Sequence, residues 1–323
     1  MSVIVYTENW DGKFKKLSFE LASYAAKLAE MLNEQAVAIS IGRVEEEELK
    51  KLATYGIKKI ITVTDDKLQN FDSRTYTKVI ADVCAKESAK VVVMANNNSG
   101  KSLAPRLSVR LKAAICSAAH ELPESVSPFV IKKRVFSGGA LARTELTTDV
   151  KLITLTQNSF DLCESPVDAA IEAFTPGLDG TSSAITIKEQ EKQTGKVLLA
   201  DAEIVISGGR GMKSADNWGP LEELAELLDG ATACSRPVSD EGWRPHEEHT
   251  GQTGKIIAPT VYFAIGISGA TQHLAGISSS KYIVAINNDK DAPIFEAAQY
   301  GIVGDAAKIL PQLVEAVRES KAS

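Results

Sequence analysis

Apolar residues recur along this chain in two periods that alternate through most of its length. Residues 3–6 (VIVY), 36–41, 59–63 and 90–94 (KVVVM) are short, nearly unbroken apolar runs, and each predicts a strand buried on both faces. Between them the period lengthens. Leu17, Leu21, Tyr24, Leu28 and Met31 fall on one face of a helix over 17–32, and similar spacing predicts helices over 45–55 and 74–87. Continuous strands separated by amphipathic helices predict a parallel sheet covered on both sides. From about 127 to 155 the pattern changes: VIKKRVF, ALARTELTT and VKLITLT alternate around a Ser137-Gly138-Gly139 turn. That alternation predicts antiparallel strands appended to the sheet.

A polar, charged stretch, KEQEKQTGK at 188–196, interrupts the pattern and predicts a boundary near 195, giving domains over 1–195 and 196–323. Strand–helix alternation then resumes, with strands over 204–207, 261–266 and 282–286 and helices over 221–228, about 272–275, and 306–320. A chain of 323 residues is comfortable for two cores. The fold class expected is α/β in two domains: an N-terminal parallel-sheet domain with added antiparallel strands, and a C-terminal Rossmann-like domain.

Composition narrows the chemistry. A net charge of −6 and a pI near 5.5 leave no dominant basic surface, which argues against a nucleic-acid partner. Cys84, Cys116, Cys163 and Cys234 are far apart and form no CxxC pair, a pattern of reduced thiols rather than disulfides or a zinc site. MSVIVYTEN runs straight into a strand with no basic flank, and no apolar run reaches bilayer length. A cytoplasmic protein without membrane insertion is therefore expected. Of the four histidines, His246 and His249 lie among acidic residues and read as a solvated surface, so no metal is expected.

Several loops carry candidate chemistry. At 201–211, DAEIVISGGRG, an apolar run meets a glycine-rich turn, and a helical pattern follows; such a turn lets backbone amides approach a phosphate. Residues 90–102, KVVVMANNNSGKS, imitate a P-loop, but the required first glycine is Ala95, so an ordinary strand–turn–helix capped near Ser99 or Gly100 is expected. GISGA at 266–270 resembles a hydrolase nucleophile elbow whose last glycine is Ala270; as a turn before a helix it suits a pyrophosphate or flavin edge better. TGQTGK at 250–255 offers hydroxyls, an amide and glycines to a polar ring edge, and Arg236 sits where a loop can reach into a cleft. A nicotinamide-dependent Rossmann dehydrogenase is the rival class, but SGGRGMKS lacks the third glycine of its fingerprint.

The blocks SGGRG (207–211), SRP (235–237), TGQTGK (250–255), GISGATQHLAG (266–276), AINND (285–289), APIF (292–295) and YGIVGD (300–305) stand in the order and spacing of one family. They closely resemble the alpha subunit of electron transfer flavoprotein, and KVVVMANNNSGKSLAPR in the first half resembles it more loosely. The resemblance implies an FAD held mainly by the second domain, no nucleotide in the first, and a separate beta subunit carrying AMP or a second flavin. The positions that match the family's FAD contacts are Arg210, Ser235, Thr250, Gly251, Gln252, Thr253, Ser268, Gly269, Ala270, Thr271, Gln272, His273, Asn287, Asp305 and Ala306. Arg236 matches the arginine placed over the flavin ring and His273 the histidine facing its pyrimidine edge, both tuning the flavin; Thr271 stands where isoleucine is frequent. The role implied is an electron carrier rather than an enzyme with its own substrate. It would take electrons from dehydrogenases, such as acyl-CoA dehydrogenases of fatty acid β-oxidation, and pass them to a membrane quinone oxidoreductase. Membership of an electron-bifurcating complex using NADH and ferredoxin is the alternative within the family.

Overall fold

In the computed structural model the described residues are 2–178, 187–189 and 197–322. The chain divides into two compact units, Met1–Val135 with Ala140–Gln190, and Phe136–Gly139 with Glu191–Ser323. The place where a boundary is expected, near 195, lies outside the described residues.

The first unit is built on a seven-stranded parallel sheet. Its strands are β1 (Ser2–Tyr6), β4 (Gln35–Ile41), β5 (Lys59–Val63), β6 (Ala89–Ala95), β7 (Ala114–Ala119), β11 (Lys151–Leu155) and β12 (Ala170–Ala173), in the order β12-β5-β4-β1-β6-β11-β7. Period-two geometry sends successive side chains of β1 to opposite faces. Val3 and Val5 join α1 (Lys16–Leu32) in one core layer, while Ile4 and Tyr6 join α3 (Ser73–Lys86) and α4 (Asn98–Leu111) in the other. The helix expected over 45–55 is a short α2 (Glu46–Lys50) continued by a 3₁₀ turn, Lys51–Thr54. A two-stranded ribbon, β2 (Asn9–Trp10) with β3 (Lys13–Phe14), precedes α1.

Two of the three alternating segments form antiparallel strands, but in a sheet of their own rather than appended to the main one: β9 (Phe129–Val135) pairs with β10 (Ala140–Glu145), and β8 (Ser125–Val126) completes that three-stranded sheet. The third does not. β11 runs parallel between β6 and β7, inside the main sheet. Its alternation misleads because Thr154, the polar member, is buried: its hydroxyl donates to Asn96 Oδ1 at 2.9 Å and accepts from the Ala118 N–H at 3.0 Å. A hydroxyl satisfied inside a sheet looks, in sequence, like one facing water.

The P-loop-like stretch is a strand–turn–helix connection capped at Asn97, two or three residues earlier than expected. Asn97 accepts from the Gly100 N–H at 2.9 Å, and its amide donates to Glu8 Oε1 at 3.0 Å.

The second unit holds a five-stranded parallel sheet of β13 (Ile204–Gly208), β14 (Ala231–Cys234), β15 (Val261–Ile265), β16 (Tyr282–Asn287) and β17 (Tyr300–Val303), ordered β14-β13-β15-β16-β17. Helices α7 (Thr271–Ile277) and α8 (Ile294–Ala297) cover one face. On the other lie α5 (Gly219–Leu227), α6 (Arg236–Asp240) and α9 (Ala306–Ala322). The chain leaves β13 for β14 at one edge of the sheet and leaves β15 for β16 toward the other, so the strand order reverses between β13 and β15. Their carboxyl ends frame a crevice, the usual place for a ligand in a doubly wound sheet.

Candidate functional site

The loops after β13 and β15 are clamped together by glycines. Gly209 N–H donates to Ile265 O at 2.9 Å and Gly211 N–H to Gly266 O at 3.0 Å. A Cβ on Gly209 would stand 2.2 Å from the Gly266 carbonyl oxygen, and one on Gly211 2.6 Å from Gly266 Cα. Gly209 and Gly211 thus serve contact between two loops. The amides of Gly209 and Gly211, expected to approach a phosphate, are spent on carbonyls instead.

These loops open onto a cleft of about 610 Å³ at the carboxyl edge of the sheet. All the residues singled out from the sequence line it except Gly269 and Thr271. Gly269, at φ +87°, passes so close to α8 that a Cβ would meet Ile294 N at 2.3 Å, and Thr271 begins α7. From the β14–α6 junction come Ser235 and Arg236; from the loop before β15 come Thr250, Gly251, Gln252 and Thr253. That loop is anchored from three sides. Thr250 N–H donates to Cys234 O at 3.0 Å, Gln252 N–H to Gln272 O at 2.8 Å, and Arg244 grips Glu248 with two bonds of 2.8 and 2.7 Å. Ser268, Ala270, Gln272 and His273 line the cleft from the β15–α7 connection. Asn287 donates to Ile267 O at 2.8 Å and accepts from Asp289 N–H at 2.9 Å, so its amide pins the loop as it lines the wall.

Charge is arranged at the rim. Arg236 Nε lies 3.3 Å from Asp240 Oδ2, and its Nη1 donates to Thr253 Oγ1 at 3.3 Å. Arg210 and Lys213 are exposed on the β13 loop, and Lys213 pairs with Asp305 at 3.2 Å. Asp305 caps α9 by accepting the Ala307 N–H at 3.0 Å. That bond, with Lys213 beside it, holds its carboxyl below the ordinary range. Ala306 follows as the first residue of α9.

The interior is different: it is buried and neutral. His273 Nε2 lies 2.9 Å from the Tyr262 hydroxyl. Burial pushes the His273 imidazole down to about 4, with His249 adding to the shift, so the ring is uncharged at neutral pH. Burial raises the Tyr262 phenol well above its usual range, so it keeps its proton. His273 Nδ1 is buried without a hydrogen-bond partner.

His249 corrects the expectation of a solvated surface. His246 is exposed, but His249 is 2% exposed, lines the cleft, and has its own unpartnered buried Nδ1. Burial lowers its pKa, and His246 and Arg236 lower it further. Glu247 is exposed and Glu248 is held by Arg244, while the chain turns His249 inward, and Gly254 passes so near the ring that a Cβ would meet Nδ1 at 2.8 Å. Lys213, Asp240 and Asn288 also line the cleft without being among the site residues expected from the sequence; Asn288 falls inside the AINND block, and short spacing from Arg210 and Arg236 signals Lys213 and Asp240. Among the described residues no cluster of His, Cys, Asp and Glu could hold a metal, and no helix is long and apolar enough to cross a membrane.

Cations at the rim, backbone and hydroxyl donors on the walls, and two neutral imidazoles within suit a large ligand with an anionic part and a polar ring edge. Comparison with known proteins places the chain among such binders. Residues 198–278 match the electron transfer flavoprotein FAD-binding domain, and residues 3–184 match the electron transfer flavoprotein domain. Electron transfer flavoprotein subunit alpha of Bacillus subtilis (strain 168) is 34% identical over 320 residues, covering 98% of this chain and 97% of that one. The same subunit of Pseudomonas aeruginosa is 37% identical over 286 residues, 88% of this chain and 87% of that one. Acryloyl-CoA reductase electron transfer subunit beta of Anaerotignum propionicum is 32% identical, covering 98% of this chain and 95% of that one.

Proposed function

This chain belongs to the electron transfer flavoprotein alpha-subunit family, and on that premise we propose that it holds one FAD in the cleft of its second unit and works as half of a heterodimer with a beta subunit. The pair carries electrons from dehydrogenases, including acyl-CoA dehydrogenases of fatty acid β-oxidation, to a quinone oxidoreductase at the membrane. The beta subunit carries AMP, or a second flavin. The single observation that carries the reading is the cleft at the crevice of the second sheet, where a rim cation, Arg236, and an uncharged buried imidazole, His273, line one space.

The donor set fits the cofactor. FAD, when bound, supplies the one- and two-electron chemistry. Arg236 supplies positive charge at the rim, and the hydroxyls of Ser235, Thr250, Thr253 and Ser268 supply donors. The unpartnered Nδ1 atoms of His273 and His249 are buried polar groups that a ligand's acceptor or donor would satisfy.

The first unit binds no nucleotide and serves contact with the beta subunit. Its loop at 96–100 is closed on itself: Asn97 occupies the helix-start amide of Gly100 and holds Glu8, whose carboxylate opposes a phosphate.

Co-expression with the beta subunit, followed by release and counting of the cofactor, tests the proposal. A yellow heterodimer with one FAD in this chain, reduced by a dehydrogenase and reoxidised by a quinone oxidoreductase, is the expected result. A second flavin in the beta subunit would mark the electron-bifurcating type, using NADH and ferredoxin. A heterodimer that stays colourless in saturating FAD would overturn the reading.

A further inference from the structure

We propose that Tyr262 is a positioning residue: its hydroxyl donates to His273 Nε2 at 2.9 Å and so locks the imidazole as the Nδ1–H tautomer. Tyr262 sits at the middle of the sheet, on β15, paired with Val205 of β13 and Ile283 of β16. Its side chain is wholly buried in the core layer beneath α7, the helix that carries His273. Both partners therefore hang from regular elements, and the Tyr262 ring is closed off from solvent.

The assignment follows from counting protons. Two uncharged groups meet, a phenol with one hydrogen and an imidazole with one N–H. If Nε2 carried the hydrogen and donated to the phenol, the phenol's own hydrogen would need another acceptor. The hydroxyls of Ser207 and Thr250 lie beside the phenol, but Ser207 Oγ stands in hydrogen-bond geometry with no group, the phenol included, and that of Thr250 is directed to Glu248 O at 3.4 Å. If instead the phenol donates, its only hydrogen is used and Nε2 is satisfied as an acceptor. The ring's hydrogen is then left on Nδ1, the nitrogen with no partner in the protein. Among titratable groups His249 faces the ring from the preceding loop and Tyr262 from the sheet, and both are uncharged at neutral pH. The lock thus fixes which nitrogen can donate. Its consequence for the cofactor rests on the FAD reading: a fixed Nδ1–H is a ready donor to an acceptor on the ligand's ring edge. The tautomer itself does not depend on that reading.

The test is the ¹⁵N spectrum of the imidazoles in the full chain with its beta subunit, taken before and after adding FAD, for wild type, Tyr262→Phe, His273→Gln and the double variant. Wild type is expected to carry the His273 proton on Nδ1 with Nε2 bare, even without FAD. Tyr262→Phe removes one oxygen, and the ring should then populate both tautomers, its proton affinity rising by roughly up to tenfold as one hydrogen bond to the neutral form is lost. With FAD bound, Tyr262→Phe should lower the midpoint potential in the wild-type background and leave it unmoved in the His273→Gln background. A wild-type spectrum with the proton on Nε2 overturns the proposal, as does an equal potential shift in both backgrounds, which would mean general repacking. A colourless protein sinks the FAD reading while the FAD-free spectrum still decides the tautomer. Should Tyr262→Phe fail to fold, the wild-type spectrum decides alone.

Discussion

Arg236 presents its guanidinium at the cleft rim with 62% of its side chain open to solvent and Asp240 3.3 Å away. A cation about 4 Å from an added negative charge is worth about 4 kcal/mol at an effective dielectric near ~20. Solvent and Asp240 reduce that figure here, leaving an effect of tens of millivolts on a one-electron couple. Arg236→Ala should therefore keep FAD and lower the first reduction potential, read by potentiometric titration; an unchanged potential removes Arg236 from the tuning. His273 acts through neutrality instead. It titrates near ~6.5 in an unfolded chain and at about 4 in the folded protein. As pH falls, the unfolded state takes up the proton first, so stability present above ~6.5 is lost down to about 4, by at most about 3 kcal/mol. Denaturant midpoints should fall through that window, and less steeply in His273→Gln. His249 and His120, also lowered by burial, act in the same direction and leave a residual slope.

At the scale of elements, the two loops framing the cleft are held by backbone contact that tolerates no side chain. Gly211→Ala must push the β13 loop off Gly266, and about 1–3 kcal/mol of stability should be lost along with FAD affinity. Gly219→Ala is the matched control: a Cβ there meets nothing within 4 Å, so its melting temperature should stay level or rise slightly. If both variants melt alike, close approach is not what the glycines supply. In the first unit, Asn97→Ala removes the cap of α4 and should cost about 1 kcal/mol by urea titration. The strands legible in sequence were those buried on both faces, such as β1, β4 and β6. β12 and β17 were not legible, because exposed strands at a sheet edge carry no burial pattern. β7, AICSAA, is too rich in small residues to declare a period.

In the molecule as a whole, the core layers of the first unit share no residue with those of the second, and every residue lining the cleft belongs to the second. A ligand that binds only the folded second unit should stabilise that unit by mass action, about 2.7 kcal/mol at a hundredfold excess over its dissociation constant. Calorimetry of the chain with its beta subunit should then show FAD raising one transition and leaving the other in place. A single transition that moves as a whole would mean the cores unfold together.

Periodicity alone determined the α/β class and most of the alternation of helices and strands, and the family resemblance carried by motif order supplied 14 of the 22 residues that line the cleft. The reason is local: burial on two faces imprints a run, burial on one imprints a period, and loops that meet at one sheet edge keep their polar and glycine-rich character. Tertiary structure decided what depends on a neighbour distant in the chain. It placed β11 inside the sheet through the bonds of Thr154, and gave the amides of SGGRG to carbonyls of the β15 loop. It turned His249 inward, and it brought Tyr262, which reads as an ordinary core residue of a strand, within 2.9 Å of His273. A residue's own pattern reports whether it is buried; only the fold says against what.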